Sequence, residues 1–507
     1  MTSKVFSAAI VGLKAEPIEV EVDISSGLPS FLIVGLPDKA IEESKERVRA
    51  AMKNSGLLLP SKKITVNLAP ADLKKEGPSF DLPLAVALAI ASKQIAPLDK
   101  RCIFVGELSL NGELRPISGI LPIALLAKQE GFNKLFLPHQ NAQEASYIEG
   151  LEIYPVQSLN QLISHLKNEK KIRKFIPKSS ILSPASYNYD YDFANIKGQE
   201  QAKRALEIAA AGMHNVLMSG PPGGGKTLLA RALPSIMPRM TDDEVLDVSK
   251  IYSIAGLLTA ERPLVLERPF RSPHHTASDI SLVGGGQRPK PGEITLAHQG
   301  VLFLDELPEF GRAVLEALRQ PLEDRVITIS RASGTLQFPA HFILVAAMNP
   351  CPCGFLNDPI KQCVCTPAQI LRYQKRISGP LLDRIDIHIE VPRVKYEKLT
   401  DEKVAEESKK IRERVEEARE RQRARFSNSK IKTNAEMRIP DIKKYCQIDE
   451  ESQLLLKSAV TQLNLSARAY HRILKMARTI ADLAKSEKIM TNHIAEAIQY
   501  RPKEIVY

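Results

Sequence analysis

The sequence predicts a multidomain α/β protein: an α/β domain, a basic linker, a second, parallel α/β domain and a helical C-terminal domain. Three observations carry this reading. A chain of 507 residues is too long for one hydrophobic core. Short apolar runs of strand length alternate with helical stretches on both sides of a polar segment near residue 180. One such run, in "HNVLMSGPPGGGKTLLARAL", enters the pattern GxxxxGKT and leaves it as a helix.

Composition bounds the partners. Apolar residues make up 44% of the chain and charged residues 25%, as in an ordinary soluble protein. No apolar run approaches the roughly 20 residues of a membrane span. The start, "MTSKVFSAAIVGLKAEPIEVEV", meets charge too early for a secretory signal. The expectation is a cytoplasmic protein with reduced thiols and no membrane contact. A net charge of +11 suits a polyanionic partner without requiring one.

Residues 1–165 carry strand-like runs at 18–22, 64–68, 103–105 and 135–137 between helical stretches. Residues 166–192 read as a linker; within it "KNEKKIRKFIPK" sets six basic residues against Glu169. A second α/β domain covers 193–395, with a cysteine loop at 351–365. Residues 396–507 read as helical, with "DEKVAEESKKIRERVEEARERQRARF" a charged, solvated helix and "LSARAYHRILKMARTIADLAKSE" an amphipathic one.

Phosphate groups need inward-pointing backbone N–H groups at a helix N-terminus, and glycines let the chain form that nest. Gly220, Pro221, Pro222, Gly223, Gly224 and Gly225 form the candidate cradle, followed by Lys226, Thr227 and Leu228. Lys226 is expected to reach the β- and γ-phosphates of ATP, and Thr227 to hold Mg²⁺. The apolar run in "GVLFLDELPEF" ends in Asp305, which would complete the Mg²⁺ shell, and Glu306, which would polarise the attacking water. The next run, "HFILVAAMNP", ends in Asn349, placed to orient water near the γ-phosphate.

Together these motifs resemble an AAA+ ATPase of the magnesium-chelatase-like branch. "FANIKGQEQAKRALEIAAAG" resembles its adenine-wrapping segment, "LLDRIDIHIEV" its arginine-finger motif and "SARAYHRILKMARTIADL" its sensor-2 helix. The resemblance implies that Asn349 is sensor 1, Arg384 a finger acting on a neighbour and Arg468 sensor 2 in a helical lid. A finger given to a neighbour implies a ring, most often a homo-hexamer.

"KKEGPSFDLPLAVALAIAS" and "GELSLNGELRPISGILPIALLAKQEGFNKLFLP" resemble the proteolytic domain of Lon proteases, with Ser79 in the place of the nucleophile. The activating lysine should follow Ser118–Gly119, where this chain has Leu121 and then Pro122. A serine without a base is a poor nucleophile, so a Lon-like fold without its chemistry is expected. Lys74 and Lys75 are expected to face solvent.

A Lon-like domain, a chelatase-like core and a cysteine loop together resemble the ComM/YifB family over nearly the whole chain. That resemblance implies a DNA helicase driving branch migration during natural transformation, acting on single-stranded and branched DNA, with a recombinase as a further partner. The rival reading is a chelatase-type remodeller of a protein partner. Two insertions suit a DNA-translocating ring: "RSPHHTASDISLVGGGQRPKPGEITLAHQG", with Arg288 and Lys290, and a hairpin, "RVITISRASGTLQFPAHF", with Arg331.

Cys351, Cys353, Cys363 and Cys365 offer four soft ligands on two short arms. Zinc bound by four thiolates is the first reading, with a redox or iron–sulfur role and unliganded thiols as alternatives. Cys102 and Cys446 read as buried apolar side chains. His274 and His275, an adjacent pair in a polar loop, read as hydrogen-bonding or pore contacts rather than as metal ligands or a base.

Overall fold

Alternating burial along the strand Lys14–Ser25 shows how the first sheet forms. Ile18, Val20 and Val22 are fully buried while Glu19 and Glu21 are partly exposed, the two-residue period of a strand with one face on a core. The computed structural model describes residues 2–99, 101–176, 189–286, 290–331, 334–358, 360–394, 405–463 and 465–501. The chain divides into two compact units, Met1–Ala185 with Asp242–Val265, and Ser186–Thr241 with Leu266–Tyr507. The stretch 242–265, which sequence reasoning counted within the ATP-site domain, clusters with the first unit.

The first unit holds a seven-stranded mixed sheet in the order Ser30–Val34, Lys63–Ala69, Lys14–Ser25, Thr2–Val11, Cys102–Phe104, Lys134–Pro138, Glu152–Val156. Three of the four expected strand runs fall within it and the fourth, 103–105, overlaps Cys102–Phe104, while Thr2–Val11, Ser30–Val34 and Glu152–Val156 add to them. The helix Asp81–Ala91 is apolar on all sides after its first residue and is buried along its whole length. Asp81 itself is tied by Arg47 at 2.7 Å.

Ser79 lies half-buried in the turn Pro78–Phe80 that leads into this helix. Leu121 is the second residue of the helix Ile120–Gln129. Its side chain is buried and its N–H donates to Glu144 Oε1 at 3.0 Å. Ser253, on the helix Asp242–Ala255, donates to the same carboxylate oxygen at 2.5 Å. Lys74 is exposed as expected, but Lys75 is not. It is buried, its ammonium donates to the Pro70 carbonyl, and burial lowers its pKa. The loop carbonyl supplies the oxygen that water would otherwise give, which makes burial of the cation tolerable.

The second unit is built on a five-stranded sheet, ordered Phe270–Arg271, Val301–Leu304, Ile343–Met348, Val216–Ser219, Ile387–Glu390, with every pairing parallel. Val301–Leu304 and Ile343–Met348 are buried at every position, which explains their unbroken apolar sequence. The C-terminal part is helical: Ser408–Arg425, Ile439–Tyr445, Glu450–Gln462, Ala467–Leu483 and Thr491–Gln499. It shares one apolar core with the sheet, joining Ile473, Ala477 and Ile480 to Leu206, Val216 and Val345.

Ser408–Arg425 corrects the reading of a fully solvated helix. It buries Ile411, Val415 and Ala418, and Gln422 Nε2 donates to the Ala211 carbonyl at 3.0 Å. Its apolar positions are few and short, so the buried stripe is hidden among long charged side chains in the sequence. No helix among the described residues is long and apolar enough to cross a membrane.

Asp386 ties this unit together. It accepts from the Asn215 N–H at 3.2 Å and from Arg472 at 2.5 Å, joining the entry to Val216–Ser219 to the helix Ala467–Leu483. Burial works to raise its pKa, but Arg472, with His214 and Arg501, outweighs it and holds the carboxyl below the ordinary range. A lowered pKa in the folded state adds stability that is complete above the unfolded value of about 4 and is lost on further acidification. Asp386→Asn is expected to destabilise this unit by about 3–5 kcal/mol, because it leaves the half-buried Arg472 without its partner. Urea unfolding followed by circular dichroism checks this, and the variant should lose part of the acid sensitivity of the parent.

Candidate functional site

The parallel sheet brings three strand ends to one edge. Ser219 pairs with Met348, and Leu304 with Ala346, so the segments that follow these strands emerge side by side. The first is the glycine-rich loop. Gly223 and Gly225 adopt positive φ values of 79° and 88°, which turn successive N–H groups inward ahead of the helix Lys226–Ile236. Gly220 packs its α-carbon against the Val391 carbonyl, with no room for a Cβ.

Lys226 is buried, and its ammonium donates to the carbonyls of Gly220 at 2.6 Å and Pro221 at 3.0 Å and to Asn349 Oδ1 at 3.2 Å. Burial lowers its pKa, and the Asp305 and Glu306 charges oppose that. The Thr227 hydroxyl donates to Asp305 Oδ2 at 2.9 Å, so the two expected Mg²⁺ ligands already meet. Glu306 adopts the left-handed conformation at φ 53° and is exposed beside them. Lys226, Thr227, Asp305 and Asn349 thus converge as the sequence implied, and Leu228 follows them on the helix, partly exposed.

Arg384 and Arg468 lie elsewhere. Arg384 donates to the Pro380 carbonyl at 2.7 Å and to Glu323, and Arg468 donates to the same Glu323 at 3.2 Å. Arg384 hydrogen bonding and charge hold the Glu323 carboxyl below its ordinary pKa, with burial opposing and Arg468 assisting.

Sequence reasoning missed three contacts of the nucleotide loop. His275 Nδ1 lies 3.5 Å from Glu306 Oε2, although the histidine pair was read as polar loop contacts. Gln199 Nε2 donates to the Gly224 carbonyl at 3.1 Å and to the Pro392 carbonyl at 2.5 Å. Gly354 lies against Pro222. All three depend on contacts distant in sequence, which no local pattern signals.

The insertions are described in part. Lys290 is exposed on the strand Lys290–Pro291, which pairs with Gly284–Gly285. Arg331 ends the strand Val326–Arg331 of the expected hairpin, opposite Gly334. Arg288 lies outside the described residues.

The four loop cysteines gather with all sulfurs within 4.8 Å of one another. Cys351 Sγ lies 3.4 Å from Cys353 Sγ and 3.7 Å from Cys363 Sγ, and the 353–363 separation is 3.6 Å. Sulfurs on a tetrahedral zinc ion with bonds of about 2.3 Å would sit about 3.8 Å apart, so the donor set fits that ion. Backbone N–H groups of Cys353 and Cys365 donate to Cys365 and Cys363 sulfurs, both at 3.4 Å, as suits thiolates.

The chain matches the family described as "Magnesium chelatase, subunit ChlI" over 192–399, and its companions "Subunit ChlI of Mg-chelatase" over 20–141 and "Magnesium chelatase, subunit ChlI C-terminal" over 405–501. It is 46% identical to "Competence protein ComM" of Haemophilus influenzae, covering 98% of this chain and 97% of that one. The chain belongs to the ComM/YifB family. "Uncharacterized protein YifB" of Escherichia coli is 43% identical over 98% of this chain and 97% of its own. "Lon protease 2" of Bacillus subtilis is 27% identical over 29% of this chain and 30% of its own. Membership in this family makes the chain an AAA+ ATPase that uses ATP and Mg²⁺.

Outside the cluster, Cys102 and Cys446 are buried, and burial pushes their thiols up to about 11 and about 12. Ellman's reagent applied to the folded protein should leave both unmodified, and both should react once denaturant is added. Peptide mass spectrometry after alkylation locates the reacted thiols.

Proposed function

We propose that this chain is the subunit of a ring-shaped, ATP-driven motor that moves on single-stranded and branched DNA and promotes branch migration during natural transformation. One observation carries the reading: 46% identity, over 98% of this chain, to a protein named for competence, with the nucleotide-loop residues in place. The net charge of +11 and the two hairpin insertions support a polyanionic track through the ring. On this reading Lys290, Arg288 and Arg331 meet backbone phosphates, six copies close the ring in the cytoplasm, and a recombinase supplies the joint that the ring extends.

In the proposed mechanism Lys226 and the loop N–H groups bind the phosphates, and Thr227 and Asp305 hold Mg²⁺. Glu306 and Asn349 orient the attacking water. Arg384 and Arg468 approach the γ-phosphate and stabilise its developing charge, Arg384 from the neighbouring subunit. The first unit serves structure rather than proteolysis, since buried Leu121 stands where the base would be. The four cysteines hold a structural zinc ion.

The three matches to chelatase subunits favour a second reading, in which the motor remodels a protein partner. DNA-dependent ATP hydrolysis separates the two. Turnover should rise with single-stranded or forked DNA, and a labelled three-strand substrate should branch-migrate only with ATP. Product formed equally without ATP would reject the motor. Glu306→Gln is expected to bind ATP as the parent does and to abolish turnover. Arg384→Ala should lower kcat by about 10³-fold or more while leaving binding of a fluorescent ADP analogue unchanged.

A further inference from the structure

The cysteine loop presses on the phosphate-binding loop. Gly354, between Cys353 and Phe355, has a φ of 83°; a Cβ there would lie 2.7 Å from Pro222 Cδ and 3.8 Å from Asn349 Cγ. Pro222 follows Pro221, whose carbonyl accepts from Lys226. The cysteine loop therefore backs the segment that positions the phosphate-binding lysine.

The opposite side of the phosphate loop is held by residues 391–393. The Val391 carbonyl packs on Gly220 and Gly224, and the Pro392 carbonyl shares Gln199 with Gly224. Asp358, its side chain fully buried, joins the two sides by pairing with Arg393 at 3.2 Å, and Arg393 lies over the Phe355 ring at 5.4 Å. The phosphate loop is thus gripped between two segments pinned to each other.

Apolar packing contributes little to the shape of the gripping loop. Its described residues between Asn349 and the helix Pro367–Gln374 form no helix or strand, and Ile360 and Val364 are 77% and 83% exposed. A loop that buries so little apolar surface has little packing to offset its conformational entropy. Metal–thiolate bonds supply that ordering energy where packing cannot.

We propose that zinc bound by Cys351, Cys353, Cys363 and Cys365 braces the phosphate-binding loop through Gly354, so that nucleotide affinity depends on metal occupancy. This rests on the zinc assignment given above. Releasing the metal lets Gly354 draw away from Pro222. The lysine-bearing turn then samples geometries that do not receive phosphate, and affinity falls without any change in the residues that touch nucleotide.

The test measures metal content and nucleotide affinity separately on the full-length protein. Zinc is quantified by elemental analysis, stripped by chelator under reducing conditions, and restored after the chelator is removed. Binding of a fluorescent ADP analogue is read at constant excess Mg²⁺, without hydrolysis. The filled protein should bind at least about tenfold more tightly than the stripped one, and added Zn²⁺ should restore it. Gly354→Ala, which keeps all four cysteines, should retain one zinc per chain yet weaken binding. Circular dichroism of each sample confirms that the fold is retained. Parent protein isolated without zinc, and unable to take it up, would overturn the metal assignment itself. Stoichiometric zinc with affinity unchanged to within about twofold on stripping would leave that assignment standing and overturn the brace.

Discussion

The parallel register of the second sheet is the constraint on which the nucleotide site depends. Because Val216–Ser219, Val301–Leu304 and Ile343–Met348 run the same way and are buried together, their ends open at one edge. A shift of one residue in any pairing would turn alternate side chains about and carry the acidic pair or Asn349 away from the glycine loop. The backbone bond from the Gly220 N–H to the Met348 carbonyl, at 3.2 Å, extends that registration into the loops. Chemistry at this edge thus inherits its accuracy from apolar packing below it.

Cations in this unit are held in two different ways. Lys226 is satisfied within the site by two loop carbonyls and Asn349, so its charge is preorganised where phosphate binds. Arg384 and Arg468 are instead paired on one carboxylate, Glu323. Their shared partner brings both guanidiniums to one carboxylate. A carboxylate that neutralises them meanwhile limits repulsion between two like charges held close together.

The first unit separates what a fold needs from what a reaction needs. Its sheet and buried helix Asp81–Ala91 need only apolar packing, whereas proteolysis needs a proton acceptor beside Ser79. Leu121 offers no proton acceptor and adds buried apolar surface. The Leu121 N–H then serves Glu144, which also accepts from Ser253 of the stretch contributed from beyond the nucleotide loop.

The glycine loop, the two acidic residues, Asn349 and the four clustered cysteines were legible in the sequence because each chemistry needs particular residue types at short spacings. Strand runs such as 64–68 and 135–137 were legible because burial on a sheet leaves a local apolar signature. The sequence by itself therefore determined the fold class, the phosphate cradle and the thiol cluster. Only the tertiary structure decided what depends on contacts between distant segments. It buried Lys75 on a loop carbonyl, gave the charged helix Ser408–Arg425 a hidden apolar stripe, gathered Arg384 and Arg468 on Glu323 and set Gly354 against Pro222. Spacing along a chain records what a residue can do; which neighbour it does it with is settled when the core closes.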